Sequence, residues 1–380
     1  MYGMPGGAVE NESVVGRFCQ TSAECPRKSE DLSVQTFVMI FGNASDRLLL
    51  VISDSTISSP VQLIFGVLAC MEREMKLLFF NDFQLGVMKG DNVVDVSDVV
   101  SDIPHLEPQQ LISGLIANFD SYKGKLEAAV SASDGVPVSG VRVRPPLPKP
   151  TNVDCMAVNY MEDGTRDEPA PINAFQKSAY AIIGPGDTMV LPDEPATVFE
   201  GEAEMALVIG KTATNVKAAD AFDYIFGYTN FIDGSARGLP GANVFHAMKS
   251  RDTFAPIGPY IVTADEISNP QNLQIQLWNN GDLKQNFNTD DMGHNIARCI
   301  EFITSIHTLE PGDILATGTN HRGLNPFQDG EVIELEVEGL GRLSFNVKDD
   351  LKRTWARETH LEREEKGLPG SPDQDSGKYS

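Results

Sequence analysis

Glu202 and Glu204, one alanine apart, stand at the head of the apolar run Met205–Ile209. In a strand, residues i and i+2 share a face. Both carboxylates therefore point one way, and Ala203, Met205, Leu207 and Ile209 point the other. The carboxylate face continues as Ala206 and Val208, which are apolar too. A strand apolar on both faces is a buried one, which puts the pair at the mouth of a core. Neighbouring buried carboxylates repel each other and lose their hydration. A divalent cation is the simplest remedy, so the pair reads as a metal site and the chain as an enzyme.

The elements that position this pair follow from pattern and punctuation. Residues 1–74 read as an N-terminal extension. Its first 35 residues are polar and weakly patterned, a composition that cannot form a core; its apolar patches Phe37–Phe41 and Leu48–Ile52 have no assignable partner. From Met75 the pattern sharpens. Lys76–Phe80, Phe83–Met88 and Val93–Val96 read as short strands, and helices are predicted around Pro108–Asn118 and Tyr122–Ala132. Residues 75–144 thus form a small α+β domain. Pro145, Pro146, Pro148 and Pro150 mark a stiff linker over 145–152.

Residues 153–350 read as one β-rich domain. Cys155–Asn159 is a strand, and Tyr228–Ile232 is a strand running directly into Asp233. Leu273–Trp278 and Leu283–Phe287 flank a hairpin turn. Asp290 or Asp291 caps a helix with the stripe Met292, Ile296, Ile300 and Ile303. Ile333–Val337 and Leu343–Val347 alternate as a half-exposed hairpin. Residues 351–380 read as a C-terminal tail, charged and loose from 357 onward.

The chain has 380 residues, 41% of them apolar, and a formal net charge of −24. That charge argues against nucleic acid or an anionic membrane as a partner. The five cysteines are scattered and odd in number, which implies reduced thiols. No apolar run approaches the roughly 20 residues of a membrane span, and the N-terminus lacks the pattern of a targeting segment. The implied compartment is the cytoplasm.

Four blocks carry a family resemblance: Phe-Glu-Gly-Glu-Ala-Glu-Met-Ala-Leu-Val-Ile-Gly-Lys (199–211), Phe-Ile-Asp-Gly-Ser-Ala-Arg (231–237), Lys-Ser-Arg-Asp-Thr-Phe-Ala-Pro-Ile-Gly-Pro (249–259) and Thr-Gly-Thr (317–319). In order and spacing they resemble the fumarylacetoacetate hydrolase family, over about residues 75–350. The resemblance implies an α+β, β-rich fold: a rolled mixed sheet with a metal at its mouth, preceded by a small α+β domain, and commonly a homodimer. It implies Glu202, Glu204 and Asp233 as ligands of Mg²⁺, Mn²⁺ or Ca²⁺, a hard oxygen donor set that suits such ions. Arg237 and Lys249 become cations near the metal. Lys249 would orient a substrate carboxylate or stabilise a developing enolate. Asn159, Tyr160, Thr319 and Lys177 match positions that contact substrate.

The departures matter equally. Many relatives carry a lid His with a Glu three residues on. Here Asp163 and Arg166 stand at those places. The dyad that activates water is missing, which leaves Asp163 or Glu162 as substitute bases and His246 and His321 as candidate acid–base groups. His105 and His360 carry no signal. The implied substrate is a small 2-oxo acid or 1,3-dicarbonyl compound, chelated through two oxygens. Hydrolytic C–C cleavage comes first by family frequency. Decarboxylation or keto–enol isomerisation is the alternative that the missing dyad favours, followed by a biosynthetic tailoring step or a relative that binds without turnover.

Overall fold

A computed structural model describes residues 38–41, 48–51, 75–241 and 244–380. Most of the 1–74 extension, with Cys19, Cys25 and Cys70, lies outside the described residues. Within it, Val38–Phe41 pairs antiparallel with Leu48–Val51. The remainder is α+β and β-rich, built on one large mixed sheet and one smaller sheet.

The strand Val198–Ile209 is buried along its whole length. Its alternation divides it between two cores. Ala203, Met205, Leu207 and Ile209 enter one cluster of buried apolar residues, while Ala206 and Val208 enter another. Burial on both faces follows from the unbroken apolar run. The partner strand Ile225–Arg237 continues through Asp233 to Arg237, and the two pair antiparallel with Glu202 directly opposite Asp233. On the far edge of Val198–Ile209 lies Ile314–Ala316, which in turn pairs parallel with Val153–Met156. Beside Ile225–Arg237 lies Ala255–Thr263.

Residues 75–144 add to this same sheet, because Lys76–Phe80 pairs with Ala255–Thr263. The proline-rich stretch between them is packed rather than free: Pro145, Pro146 and Leu147 are buried. The second sheet combines Thr188–Val190 with the two hairpins Gln274–Asn279/Asp282–Asn288 and Val332–Val337/Arg342–Lys348. The latter alternates buried and partly exposed residues, as its polar alternation requires.

Two expectations are corrected. The striped helix starts at Ile296, capped by the Asn295 side chain, and Asp290 and Asp291 sit in a preceding single turn capped by Asn288. Gly293 and an extended Met292 separate the two, so the stripe begins one turn later than Met292 suggests. Residues 351–380 are folded. Arg353 is fully buried, bonds the Asp349 carboxylate and the carbonyls of Pro192 and Glu194, and stacks 4.6 Å over Phe199. Trp355 is buried, with its indole N–H on the Thr197 carbonyl at 2.7 Å. Thr359 and Glu362 form a capping box for the helix His360–Glu365. Composition suggested solvation here, but two anchoring side chains suffice to dock a charged segment.

Among the described residues no helix is long and apolar enough to cross a membrane. Cys155 and Cys299 are buried free thiols.

Candidate active site

Strand register assembles the acidic cluster. Opposed residues of an antiparallel pair lie about 5 Å apart on one face, with diagonal neighbours close behind. Glu202 opposes Asp233, and Glu204 is diagonal to Asp233. One carboxylate oxygen from each lies within 4.8 Å of the others. Behind the cluster, Gly201 opposes Gly234. A Cβ on Gly201 would lie 2.4 Å from Phe327, and one on Gly234 would lie 2.8 Å from Met189. Glycine at both positions lets the core close against the back of the site.

Three cations already serve this cluster. Lys249, at the end of the short helix Val244–Lys249, donates to Glu202 Oε1 at 2.7 Å and to Asp233 Oδ2. Lys177, just past the strand Ala174–Gln176, donates to Asp233 Oδ1 at 2.5 Å and to the Gly234 carbonyl. Arg237 spans Glu202 Oε1, at 2.6 Å, and Glu200 Oε2. Burial alone would raise the Glu202 carboxyl; the charges of Lys249 and Arg237, with a lesser part from His321, overcome it and hold that carboxyl far below the usual range. Burial likewise opposes the Lys249 ammonium, and Asp233 and Glu202 more than restore it.

Glu204 has no such partner. Its Oε2 accepts the Gly318 N–H at 2.7 Å, and its buried Oε1 accepts nothing. Burial, then the charges of Asp233 and Glu202, pushes its carboxyl well above the ordinary value. A buried carboxyl oxygen without a partner, converging with two further carboxylates, fits a hard divalent ion, which would favour its ionised form. The unmet demand therefore sits on Glu204 and not on the pair as a whole.

The loop after Ile314–Ala316 closes over the cluster. Thr317 binds the Met205 carbonyl through both its N–H and its hydroxyl. Gly318 takes a φ of 89°, in the left-handed region, and aims its N–H at Glu204. Thr319 is buried, its hydroxyl accepting from Gln285 at 2.9 Å. Asn159 ties the same loop down: its amide donates to the carbonyls of Thr317 and His294 and accepts the His294 N–H. Tyr160 is buried edge-on against Phe287.

Several sequence candidates land elsewhere. Asp163 is turned outward: Glu162 and Asp163 both adopt left-handed backbone, with φ of 57° and 55°. The Asp163 side chain is 57% exposed, with Arg322 Nε 3.8 Å from its carboxylate. His246 is exposed, and its ring makes no hydrogen bond or ion pair among the described residues. Lys177 and Lys249 are consumed by the cluster's own carboxylates, so they orient the acids instead of presenting free ammonium groups.

The same turn brings Glu162 inward. Its Oε2 accepts the His321 N–H at 2.8 Å, and its Oε1 lies 2.7 Å from His321 Nδ1. A Glu–His pair thus exists, drawn from two distant segments. The pair lines a pocket of about 320 Å³ together with Arg166, Arg322 and His360. His360 reaches Glu200 Oε1 at 2.7 Å, linking the pocket to the cluster through Glu200 and Arg237. Burial opposes the Glu200 charge, and Arg237 and His360 together keep that carboxyl low. Glu200 was not among the sequence candidates, and His360 carried no signal there. The strand alternation that aligned Glu202 and Glu204 also places Glu200 on their face, but nothing local marks His360.

Residues 153–348 match the fumarylacetoacetate hydrolase C-terminal family model. The chain is 31% identical over 290 residues to maleylpyruvate hydrolase of Aquipseudomonas alcaligenes, across 72% of this chain and 99% of that protein. It is 36% identical over 223 residues to oxaloacetate tautomerase YisK of Bacillus subtilis, across 55% of this chain and 74% of that one. A crystal structure of maleylpyruvate hydrolase from Sphingobium sp. SYK-6, in complex with manganese(II) and pyruvate, superposes with a TM-score of 0.66 at 35% identity, covering 72% of this chain and 99% of that chain.

Proposed function

Since this chain belongs to the fumarylacetoacetate hydrolase family, we propose that it hydrolyses a C–C bond of an acylpyruvate with the help of Mn²⁺ or Mg²⁺. The observation that carries this reading is the Glu162–His321 pair in a pocket that His360, Glu200 and Arg237 link to the three-carboxylate cluster. Glu202, Glu204 and Asp233 would hold the ion, which supplies Lewis-acid polarisation of the substrate's 2-oxo acid end. The relative crystallised with manganese(II) and pyruvate supports both the ion and the product.

Hydrolysis also needs a base for water, and the contact of its ring with Glu162 supports His321 in that role. Glu162 Oε1 takes the proton side of Nδ1, which leaves Nε2 as the acceptor. Nε2 removes a proton from water as its oxygen attacks the acyl carbonyl carbon. The bond from that carbon to the methylene then breaks, its electron pair staying on the methylene carbon. The proton on Nε2 returns to that carbon, so acylpyruvate and water become a carboxylic acid and pyruvate with no change in redox state. Glu162 stabilises the transient imidazolium. Lys177, Lys249 and Arg237 hold the acids in register, and Asn159 fixes the loop that carries Thr319.

Relatives named as oxaloacetate tautomerases support a second reading, proton transfer without attack by water. A coupled assay for released pyruvate separates the two. Mn²⁺-loaded enzyme should release pyruvate from acetylpyruvate. Enzyme that equilibrates oxaloacetate tautomers while leaving acetylpyruvate intact would replace the hydrolase reading with the tautomerase one.

A further inference from the structure

The strand face that carries Glu202 and Glu204 carries a third acid, Glu200, which is fully buried. Its two oxygens are served from different places. Oε2 accepts the Arg237 Nε–H, and Oε1 accepts from His360 Nε2 at 2.7 Å. Nε2 must carry that proton, because an ionised carboxylate only accepts. The second prong of Arg237, Nη2, leaves Glu200 and donates to Glu202 Oε1 at 2.6 Å. Lys249 and Ser235 donate to that same oxygen at 2.7 and 3.2 Å. Three donors on one oxygen fix how this carboxylate is turned. His360 itself opens the helix His360–Glu365, beyond the stretch 153–348 that matches the family model. Its backbone N–H donates to the Leu324 carbonyl at 2.9 Å, just past the turn His321–Gly323. One residue therefore ties the turn that carries His321 to the strand that carries Glu202 and Glu204.

A guanidinium grips one carboxylate best, through two parallel N–H bonds. Arg237 instead splits its pair between Glu200 and Glu202. The split is stable because His360 already occupies the second Glu200 oxygen. Without that donor a buried carboxylate would be half-satisfied, which costs free energy. The remedy within reach is for both prongs of Arg237 to close on Glu200, and Glu202 then loses a donor. We propose that His360 is a positioning residue of the metal centre: it holds Glu200, so that Arg237 stays on Glu202. The segment beyond the family domain is then a working part of the site. This rests on the metal reading of Glu202, Glu204 and Asp233 above, and it holds for hydrolysis and tautomerisation alike.

The test is Mn²⁺ binding to the full chain by titration calorimetry, in which a loss of folded protein lowers the stoichiometry and leaves Kd unmoved. Removing an outer partner of a metal ligand costs about 10–100-fold in affinity. His360→Leu should raise Kd by about 10-fold, the low end of that range, because His360 acts through two residues. His360→Gln, whose amide N–H can stand in for Nε2 on Glu200, should stay within about 3-fold of wild type. His360→Asn is too short to reach Glu200. It should behave like His360→Leu, and it carries the comparison if leucine prevents folding. In a Glu200→Gln background the fold-change from His360→Leu should shrink towards one, because no anion remains there to draw Arg237 away. A packing role for His360 would leave the loss intact in that background. Unchanged Kd in His360→Leu and His360→Asn, equal losses in His360→Gln and His360→Leu, or a loss that persists over Glu200→Gln overturns the proposal. Wild type that binds no Mn²⁺ overturns it together with the metal centre. The expected pattern of Kd values in an enzyme that leaves acetylpyruvate intact upholds it and removes only the hydrolase reading.

Discussion

Glu204→Gln isolates the one unpartnered carboxyl oxygen in the cluster. Glu204 is fully buried, and its Oε1 has no partner. The substitution keeps an oxygen to accept the Gly318 N–H and sets an NH₂ donor among the oxygens of Glu202 and Asp233. Replacing an unsatisfied buried polar atom by one with acceptors in reach is worth about 1–3 kcal/mol. At roughly 1.3 °C per kcal/mol for a chain of this size, Tm in chelator should rise by about 1–4 °C. Metal acts in the opposite sense. An ion at 1,000 times its Kd stabilises the wild type by about 4 kcal/mol, or roughly 5 °C on the same conversion. A neutral amide ligand forfeits most of that. The order of melting temperatures should therefore invert between EDTA and millimolar Mn²⁺ in scanning fluorimetry, with calorimetry confirming weaker Mn²⁺ binding. A variant that melts below wild type in EDTA, or that keeps the full Mn²⁺ shift, refutes the assignment of Glu204 as the vacant ligand.

Other perturbations address the remaining parts. His321→Gln should lower kcat on an acylpyruvate by about 10²–10⁴-fold, and Glu162→Gln, which leaves the ring without its carboxylate partner, should lower it less; turnover unmoved by either change excludes the pair from proton transfer. Arg353→Met should cost about 3–5 kcal/mol in urea denaturation, because it strands a buried Asp349 carboxylate. Gly201→Ala should cost about 1–3 kcal/mol through collision with Phe327, read from the same curves. The Asp154–His307 pair, at 3.1 Å, sets a pH dependence. Burial raises the Asp154 carboxyl more than His307 lowers it, whereas burial of His307 is outweighed by Asp154, so His307 is raised as well. Both groups hold protons more tightly folded than unfolded. Their stabilisation is complete below the unfolded values and is lost as pH rises through the folded ones, so stability should decline from about pH 4 and again above about pH 6.5. Asp154→Asn should flatten the upper decline in pH-dependent denaturation, and an unchanged slope would assign that decline to other groups.

What the sequence determined on its own was the shared face of Glu202 and Glu204 and the burial of their strand. The i, i+2 spacing of Glu202 and Glu204 and the apolar run behind them dictate a shared face and two-sided burial, since both are properties of a single strand. The helices and hairpins were legible for the same reason. Where caps competed, as between Asp290 and Asn295, local chemistry was ambiguous and the helix start shifted. What only the tertiary structure decided was which side chains meet across long separations. Glu162 finds His321, and Glu200 finds His360, each across 159 or 160 positions. No periodicity encodes such meetings, which depend on left-handed turns at Glu162 and Asp163 and on the docking of residues 351–380. The same cause turns the Asp163 side chain outward, leaves His246 exposed and turns Lys177 and Lys249 onto the cluster's carboxylates. A strand's alternation is fixed by local backbone geometry, whereas the partner of a buried charge is chosen by whatever the folded chain brings within hydrogen-bond reach.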